Sequence, residues 1–67
     1  MENEGGINAQ KLKDYRLKVG LSQNALDKKA GVGGRTVRNA ENGKSITVAS
    51  LRKIAKALDV PPAVFLD

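Results

Sequence analysis

Apolar residues recur along the chain at helical spacing, and no segment alternates between apolar and polar residues as a strand does. The start of each predicted helix carries the same pattern. An apolar residue precedes the helix and a second apolar residue follows five positions later, as in a hydrophobic staple. The five pairs are Ile7 with Leu12, Leu21 with Leu26, Val32 with Val37, Ile46 with Leu51 and Val60 with Phe65. The pattern predicts five short helices, at residues 8–19, 22–30, 33–42, 47–58 and 61–66.

The predicted helix ends carry residues suited to capping. Asn8, Ser22 and Thr47 stand at helix starts, where a side-chain oxygen accepts a hydrogen bond from an unpaired backbone N–H. Pro62 falls at the first position of helix 5, where its missing N–H costs nothing. Gly31 follows helix 2, at the place where a left-handed residue commonly ends a helix. These signals support the boundaries that the periodicity predicts.

The apolar faces of the five helices predict one small core and an all-α, compact five-helix domain over residues 7–67. One Phe, one Tyr and no Trp are present, so this core is built mainly from aliphatic side chains. Residues 1–6 contain two Gly and two Glu and are expected to form a disordered acidic tail. The predicted core residues are Leu12, Tyr15, Val19, Leu26, Ala30, Val37, Ala40, Leu51, Ile54, Ala55, Leu58 and either Val64 or Phe65.

The charge of the chain indicates the kind of partner it binds. Lys and Arg number 12 against 7 Asp and Glu, a net charge of +5. Glu2 and Glu4 belong to the tail, so the domain itself has 12 basic and 5 acidic residues, a net charge of +7. This density suits a polyanion such as nucleic acid, although a basic and inert surface has the same composition.

Catalytic, metal and cofactor chemistry have little support in the sequence. There is no Cys and no His, and the acidic residues are scattered without a paired spacing. Residues 42–45 end like a phosphate-binding loop, but Arg38 stands where that loop requires glycine. No apolar run approaches the roughly 20 residues that cross a bilayer, and the apolar face of helix 4 is needed for the core rather than for a membrane surface. We expect no enzyme, no metal, no cofactor, no membrane partner and a cytoplasmic location.

Helices 2 and 3 are joined by Gly31-Val32, a short turn containing glycine, which is the spacing of a helix-turn-helix over residues 22–42. Further pieces follow in a distinctive order: Gly20-Leu21-Ser22-Gln23, Leu26, Ala30-Gly31-Val32, Thr36-Val37, Glu41-Asn42-Gly43-Lys44 and the segment Leu51–Leu58. Through these pieces, residues 9–66 resemble the phage repressor/Cro-type (lambda-repressor-like, XRE-type) helix-turn-helix family. The resemblance implies a bacterial or phage-encoded DNA-binding protein associated with the nucleoid.

The resemblance also implies that helix 3 reads bases in the major groove, with Gly34, Arg35, Arg38 and Asn39 on its base-facing side. Arginine suits guanine through O6 and N7, and asparagine suits adenine through N6 and N7. Base reading is favoured for Arg35, whereas Arg38 fits a base contact and a phosphate contact equally well.

Phosphate contacts are implied for the start of helix 2 and for the loop after helix 3, at Ser22, Gln23, Asn42, Lys44 and Ser45. The alternatives are an ordinary solvated glutamine at position 23 and a plain helix-ending turn at residues 42–45.

Arg16 and Glu41 match positions at which the family has a partly buried ion pair between helix 1 and the recognition helix. We interpret them as structural residues that orient helix 3 rather than contact bases. The alternative is a pair of surface charges that contribute little to stability.

Three positions depart from the family pattern: Asp27 replaces a small residue, Gly33-Gly34 replaces a polar pair, and Ala40 replaces a larger core residue. One hypothesis links the first two. Since a carboxylate is not buried unpaired, Asp27 reaches the start of helix 3 and caps it from outside, over the space that the glycines leave. Otherwise these departures weaken or alter DNA binding.

These expectations lead to a sequence-specific regulator of transcription, most simply a repressor, that binds double-stranded DNA as a homodimer on a palindromic operator. The dimer patch is expected at Val60, Val64, Phe65 and Leu66, unless these side chains fold back onto helix 1. The alternative function is a protein-interaction module with a cognate protein partner, such as an antitoxin or a regulatory domain of a longer protein, with weak or altered DNA binding.

Overall fold

A computed structural model describes residues 7–66 and has four α-helices and one 3₁₀ turn. No strand occurs in that range, so the predicted all-helical class is confirmed. The predicted acidic tail at residues 1–6 lies outside the described residues. The helices are α1 (Ala9–Lys18), α2 (Gln23–Ala30), α3 (Thr36–Glu41) and α4 (Val48–Ala57), and the 3₁₀ turn is Pro62–Phe65.

Three of the predicted N-caps are confirmed. The side-chain oxygens of Asn8, Ser22 and Thr47 each accept a hydrogen bond from the backbone N–H three residues later, at 3.0–3.1 Å. Caps of this kind contribute about 1 kcal/mol each. They explain why α1, α2 and α4 begin where the sequence predicts.

All four α-helices end in a Schellman arrangement, in which a left-handed residue follows the last turn and two backbone N–H groups donate back into it. At α2 the left-handed residue is Gly31, with φ 73°. Its N–H donates to the carbonyl of Lys28 at 3.2 Å, and the N–H of Val32 donates to the carbonyl of Asp27 at 3.1 Å. The corresponding residues after α1, α3 and α4 are Gly20, Gly43 and Asp59.

The prediction of a fifth α-helix is not confirmed. Pro62–Phe65 is a 3₁₀ turn, in which the N–H of Val64 donates to the carbonyl of Pro61 and the N–H of Leu66 to that of Ala63, both at 3.1 Å. Consecutive prolines remove two backbone donors, and the tighter i to i+3 bonds suit a segment this short.

Helix 3 begins at Thr36, three residues later than the predicted start at Gly33. Arg35 is the N-cap residue; its φ is 75°, in the left-handed region, and its side chain makes no capping bond. Glycine loses more backbone freedom in a helix than any other residue, so Gly33 and Gly34 do not favour an earlier start. The result is a helix of only six residues.

The core contains most of the predicted residues. Tyr15 and Ala30 are half-buried against it, and Val64 packs at its edge. Val19 is wrong as a core residue, because α1 ends at Lys18 and the Val19 side chain is 51% exposed. The buried hydrophobic residues are Leu12, Leu26, Val37, Ala40, Leu51, Ile54, Ala55, Leu58 and Phe65.

The 3₁₀ turn is attached to the start of α1. Phe65 is fully buried, and its ring lies edge-on to that of Tyr15, with 5.7 Å between the ring centroids. The N–H of Asn8 donates to the carbonyl of Phe65 at 2.6 Å. Both ends of the described chain therefore meet at one place.

The four helices pack around this core. α2 packs against α3 and α4, α1 packs against α3, and the 3₁₀ turn packs against α1 and α4. Between residues 7 and 66 there is no helix with the length and apolar character that a membrane span requires.

Candidate nucleic-acid interface

The turn between α2 and α3 is closed by one residue, Asp27. Its backbone carbonyl accepts hydrogen bonds from the N–H groups of Gly31 and Val32, at 3.0 and 3.1 Å. Its carboxylate accepts from the N–H of Arg35 at 3.1 Å and from the N–H of Val37 at 2.9 Å. Asp27 is only 3% exposed. The structure thus contains the contact that the external-cap hypothesis requires.

These bonds determine the backbone at Arg35. The left-handed conformation costs a residue other than glycine roughly 1–2 kcal/mol. The Asp27 carboxylate offsets this cost, because it accepts the N–H of Arg35 and places a negative charge beside the first turn of α3, where the helix dipole is positive. Asp27 therefore positions the backbone from which the Arg35 side chain projects.

The other end of α3 is fixed by the predicted pair of Arg16 and Glu41, which the structure brings together. Nε of Arg16 donates to Oε2 of Glu41 at 2.6 Å, and Nη2 donates to Oε1 at 3.1 Å. The remaining Arg16 nitrogen, Nη1, donates to the carbonyl of Leu21 at 2.7 Å, and Nε2 of Gln23 donates to Glu41 at 3.1 Å. The Arg16 and Glu41 side chains are 9% and 5% exposed, so this is a buried pair in which each guanidinium nitrogen donates a hydrogen bond.

The environment of Arg16 favours its charged form. The hydrogen bond to Glu41 raises the pKa of Arg16, burial acts in the opposite direction, and the charge of Glu41 raises the pKa further. Because the folded-state pKa lies above the unfolded value, the contribution of Arg16 to stability is fully present below the unfolded pKa. It is lost only as the pH rises through the higher folded-state value, so the cation persists throughout the neutral range.

The start of α2 and the start of α3 share one open depression of about 350 Å³. Arg35 and Arg38 are exposed there, and neither makes an ion pair with a residue of the described range. Two unpaired guanidinium groups in a concave surface favour an anionic partner. The residues lining the depression are Ser22, Gln23, Asn24, Arg35 and Arg38.

The remaining predicted base contacts lie next to this depression rather than in it. Gly34 is exposed, and a Cβ atom at this position would meet nothing within 4 Å, so the backbone is open to a close approach. Asn39 is half-buried, and its carbonyl accepts the N–H of Lys44 at 2.9 Å. The depression thus brings together Arg35 and Arg38 of the four predicted residues.

The predicted phosphate contacts fall at both ends of α3. Ser22 and Gln23 line the depression, where the Ser22 hydroxyl caps α2 and one amide N–H of Gln23 is used by Glu41. Asn42 ends α3 as its C-cap, and Lys44 and Ser45 are exposed in the loop that follows. A helix of six residues is about 9 Å long, so the two groups flank α3 at a short distance.

The predicted dimer patch is largely folded onto the domain. Phe65 is fully buried, so its side chain is not available to a partner, and this part of the expectation is corrected. Val60 and Val64 are half-buried against the core. Leu66 is 59% exposed and is the large apolar surface residue of this group.

Two features of the site were not predicted from the sequence. The left-handed backbone conformation of Arg35 is not predicted by its residue type, since arginine rarely adopts this conformation. Asp27 and the glycines at positions 33 and 34 are the sequence features that indicate it indirectly. Asn24 lines the depression beside Gln23, and only its exposed position in the first turn of α2 indicates this. No cluster of acidic side chains able to hold a metal ion occurs among the residues described.

Comparisons with known proteins agree with this geometry. A family model described as helix-turn-helix matches residues 12–65. The chain is similar in structure to the restriction-modification controller protein C.AhdI from Aeromonas hydrophila, with a TM-score of 0.76 and 32% identity, covering 82% of this chain and 85% of that one. It is also similar to SinR, the master regulator for biofilm formation, in its complex with DNA, with a TM-score of 0.74 and 30% identity, covering 82% of this chain and 90% of that one. No curated protein sequence matches the chain.

We predict that Asp27→Ala destabilises the domain by about 1.5–3 kcal/mol, since hydrogen bonds to a charged group have this value and the buried N–H of Val37 and the part-buried N–H of Arg35 lose their acceptor. The free energy of unfolding is measured by urea titration with circular dichroism. Asp14→Ala is the control, because Asp14 is exposed on α1 and accepts an exposed hydrogen bond from Gln10. A stabilised Asp27→Ala variant would refute the capping role.

We predict that Glu41→Gln lowers the free energy of unfolding by about 3–5 kcal/mol, because it leaves the Arg16 guanidinium buried without its counter-charge. The same urea titration measures the loss. The double variant Arg16→Met/Glu41→Leu removes both charges and is expected to recover most of it. If Glu41→Gln unfolds at the same urea concentration as the original protein, the pair is not structural.

Proposed function

The chain belongs to the phage repressor/Cro-type helix-turn-helix family, and we propose that it is a sequence-specific regulator of transcription, most simply a repressor, that binds double-stranded DNA. In this proposal α3 enters the major groove. The observation that carries it is the depression with two arginines, Arg35 and Arg38, that form no ion pair among residues 7–66. They lie at the N-cap and in the body of a helix whose ends are held by buried carboxylates.

Arg35 is proposed as the main base-reading residue. Its backbone is fixed by Asp27, so its side chain projects from a defined point toward the groove. A guanidinium that contacts guanine O6 and N7 together contributes about 1–3 kcal/mol of discrimination. Arg38, three residues later, reaches a second base or a phosphate, Asn39 is proposed to contact adenine, and Gly34 permits a close approach of the backbone.

Phosphate contacts are proposed for the start of α2 and the loop after α3, and not for the start of α3. The first N–H groups of α3 are used within the protein, because those of Arg35 and Val37 donate to Asp27 and that of Thr36 donates to Gly33. Gln23 has a second amide N–H for a phosphate, since only one donates to Glu41.

Ser22, Asn42, Lys44 and Ser45 are the remaining proposed phosphate contacts. They lie at the start of α2 and in the loop after α3, on either side of the arginines. Contacts on both sides of a helix position it along the duplex, but they carry no sequence information of their own. Specificity in this proposal therefore comes from α3.

A homodimer on a palindromic operator is proposed because one helix of six residues reads only a few base pairs. Two copies then bind half-sites about 34 Å apart, or a multiple of that distance. Leu66, with 59% of its surface exposed, is proposed as the central apolar contact between copies, with Val60 and Val64 at its edge.

Selection of retained sequences from a random duplex pool tests this function. We expect a two-fold symmetric motif for the original protein. Arg35→Ala is expected to relax one position in each half-site and to cost about 1–3 kcal/mol in affinity, or roughly 5- to 150-fold.

Lys13→Ala is the control, because it removes an exposed basic residue from α1 and changes the net charge equally. It is expected to leave the selected motif unchanged. Retention without an enriched motif contradicts sequence-specific reading. An Arg35→Ala variant with the original motif and affinity contradicts the role of Arg35 and favours a protein-interaction module such as an antitoxin.

We predict that Leu66→Asp shifts the protein from dimer to monomer, since it places a charge in the proposed apolar contact. Sedimentation velocity measures the change. Leu17→Asp is the control, because Leu17 is 56% exposed on α1, nearly as much as Leu66. A dimer that survives Leu66→Asp, or that is lost equally in both variants, places the interface elsewhere.

A further inference from the structure

A second basic surface lies between the C-terminal part of α2 and α4, and the proposed function uses none of its basic residues. Two open cavities adjoin there. One, of about 540 Å³, is lined by Lys29, Lys53 and Lys56 together with Ala30, Gly31 and Ala57. The other, of about 390 Å³, is lined by Arg52 and Lys56 together with Asp59, Val60, Pro61 and Pro62. We call Lys29, Arg52, Lys53 and Lys56 the α2–α4 basic surface.

These four side chains are a third of the 12 basic residues of the chain. All four are exposed, and none makes an ion pair with any residue between 7 and 66. Asp59 is the single carboxylate among the residues that line the two cavities. Like charges around a concave surface reinforce one another and concentrate a positive potential there.

This surface is separate from the arginine depression. The two share no lining residue. The depression includes the first turn of α2, whereas the basic surface begins at Lys29 in its last turn. An eight-residue helix is about 12 Å long, so α2 holds the two surfaces at its opposite ends.

Interaction with the helix dipoles explains the positions of only two of the four cations. Lys29 and Lys56 lie in the last turns of α2 and α4, where a cation interacts favourably with the helix dipole. Arg52 and Lys53 lie in the middle of α4 and gain nothing from it. The helix dipole therefore does not explain why all four cations lie together on this surface.

The lining residues favour phosphate over a protein or a membrane. Protein interfaces are rich in aromatic and large apolar anchors and poor in lysine, but no aromatic residue lines either cavity. The large hydrophobic residues that are exposed between residues 7 and 66, Leu17, Val19, Val48 and Leu66, are also absent from the lining, so this surface has no exposed apolar side chain to insert into a bilayer. Lysine, arginine and small residues are what contact with a phosphate backbone needs.

The side chains also have a spacing that follows a phosphate backbone. Lys53 and Lys56 are three residues apart on α4, and Arg52 and Lys56 are four apart, which places their Cβ atoms about 5–6 Å from each other. Long, flexible side chains at this spacing can contact neighbouring phosphates of one strand. No Asn or Gln, the side chains that pair with adenine, lines either cavity.

We infer that the α2–α4 basic surface binds the phosphate backbone of a second DNA duplex without sequence specificity, so that the protein holds two duplex segments together. The inference rests on the proposed function only for the first duplex, which occupies the arginine depression.

A co-capture experiment tests this inference. The full chain is bound to an immobilised duplex that carries its selected motif, and a fluorescent duplex of unrelated sequence is added at moderate salt. We expect the second duplex to be retained. Lys53→Gln/Lys56→Gln is expected to reduce its retention about tenfold or more, because two phosphate contacts are lost. The salt dependence of the association constant for the second duplex is expected to become shallower, with the slope of log K against log salt smaller in magnitude by about 1.8. Retention on the first duplex is expected to stay unchanged.

The matched control is Lys13→Gln/Lys18→Gln, which removes two exposed lysines from α1 and changes the net charge equally. Equal losses in the two double variants overturn the inference, since net charge alone then explains them. Failure of the original protein to retain the second duplex overturns it as well. Tighter binding of a polyglutamate peptide than of the duplex through Lys53 and Lys56 also overturns it, because the partner is then a protein.

A further variant separates this inference from the proposed function. Arg35→Ala/Arg38→Ala removes the arginines of the depression and is expected to keep salt-dependent binding to an unrelated duplex, with that binding lost when Lys53 and Lys56 are also replaced. This result supports the inference even if the original protein selects no motif. The inference is wrong if Arg35→Ala/Arg38→Ala abolishes co-capture while Lys53→Gln/Lys56→Gln retains it. In that case α3 of a second copy of the protein binds the second duplex.

Discussion

A helix of six residues does not hold its conformation in water by itself, and α3 has six. A buried carboxylate at each end of α3 stabilises it within the domain. Asp27 accepts two N–H groups at the start of the helix, and Glu41 in its last turn pairs with Arg16 of α1. Both contacts are made to the rest of the domain, on the side of α3 that faces the core. The solvent-facing side of α3, which includes Arg38, is therefore open to a partner.

Polar contacts are needed because α3 has little apolar surface to bury. Val37 and Ala40 are its buried residues, and Ala40 contributes a single methyl group. Burial of apolar surface scales with its area, so two small side chains hold the helix weakly and specify its direction poorly. Hydrogen bonds to Asp27 and Glu41 are directional, and a buried charge that loses its partner is strongly unfavourable. The orientation of α3 is therefore defined by charge geometry more than by packing.

The sequence predicted the features that depend on local chemistry. The caps at Asn8, Ser22 and Thr47 follow from side chains that bond their own first turn, and the core follows from helical periodicity. Alternatives stayed open where distant contacts decide. Phe65 was a candidate both for the core and for a dimer surface, and the packing of the 3₁₀ turn against α1 buries it in the core.

The start of α3 illustrates the same limit within the candidate site. Helical spacing favours a helix from Gly33, but the Asp27 carboxylate reaches the N–H of Arg35 across the turn and stabilises a left-handed residue there. The sequence predicted that Asp27 caps helix 3 from outside, but it predicted neither the left-handed residue at the helix start nor the separation of the basic residues into two surfaces. That separation depends on α2, which packs against both α3 and α4 and so holds its two ends in fixed relation to them. Because one packed helix sets the distance between the two groups of cations, their mutual repulsion is resisted by the core and not by nearby acids. The fold therefore determines where the positive charges of this domain lie relative to one another, which the net charge alone does not specify.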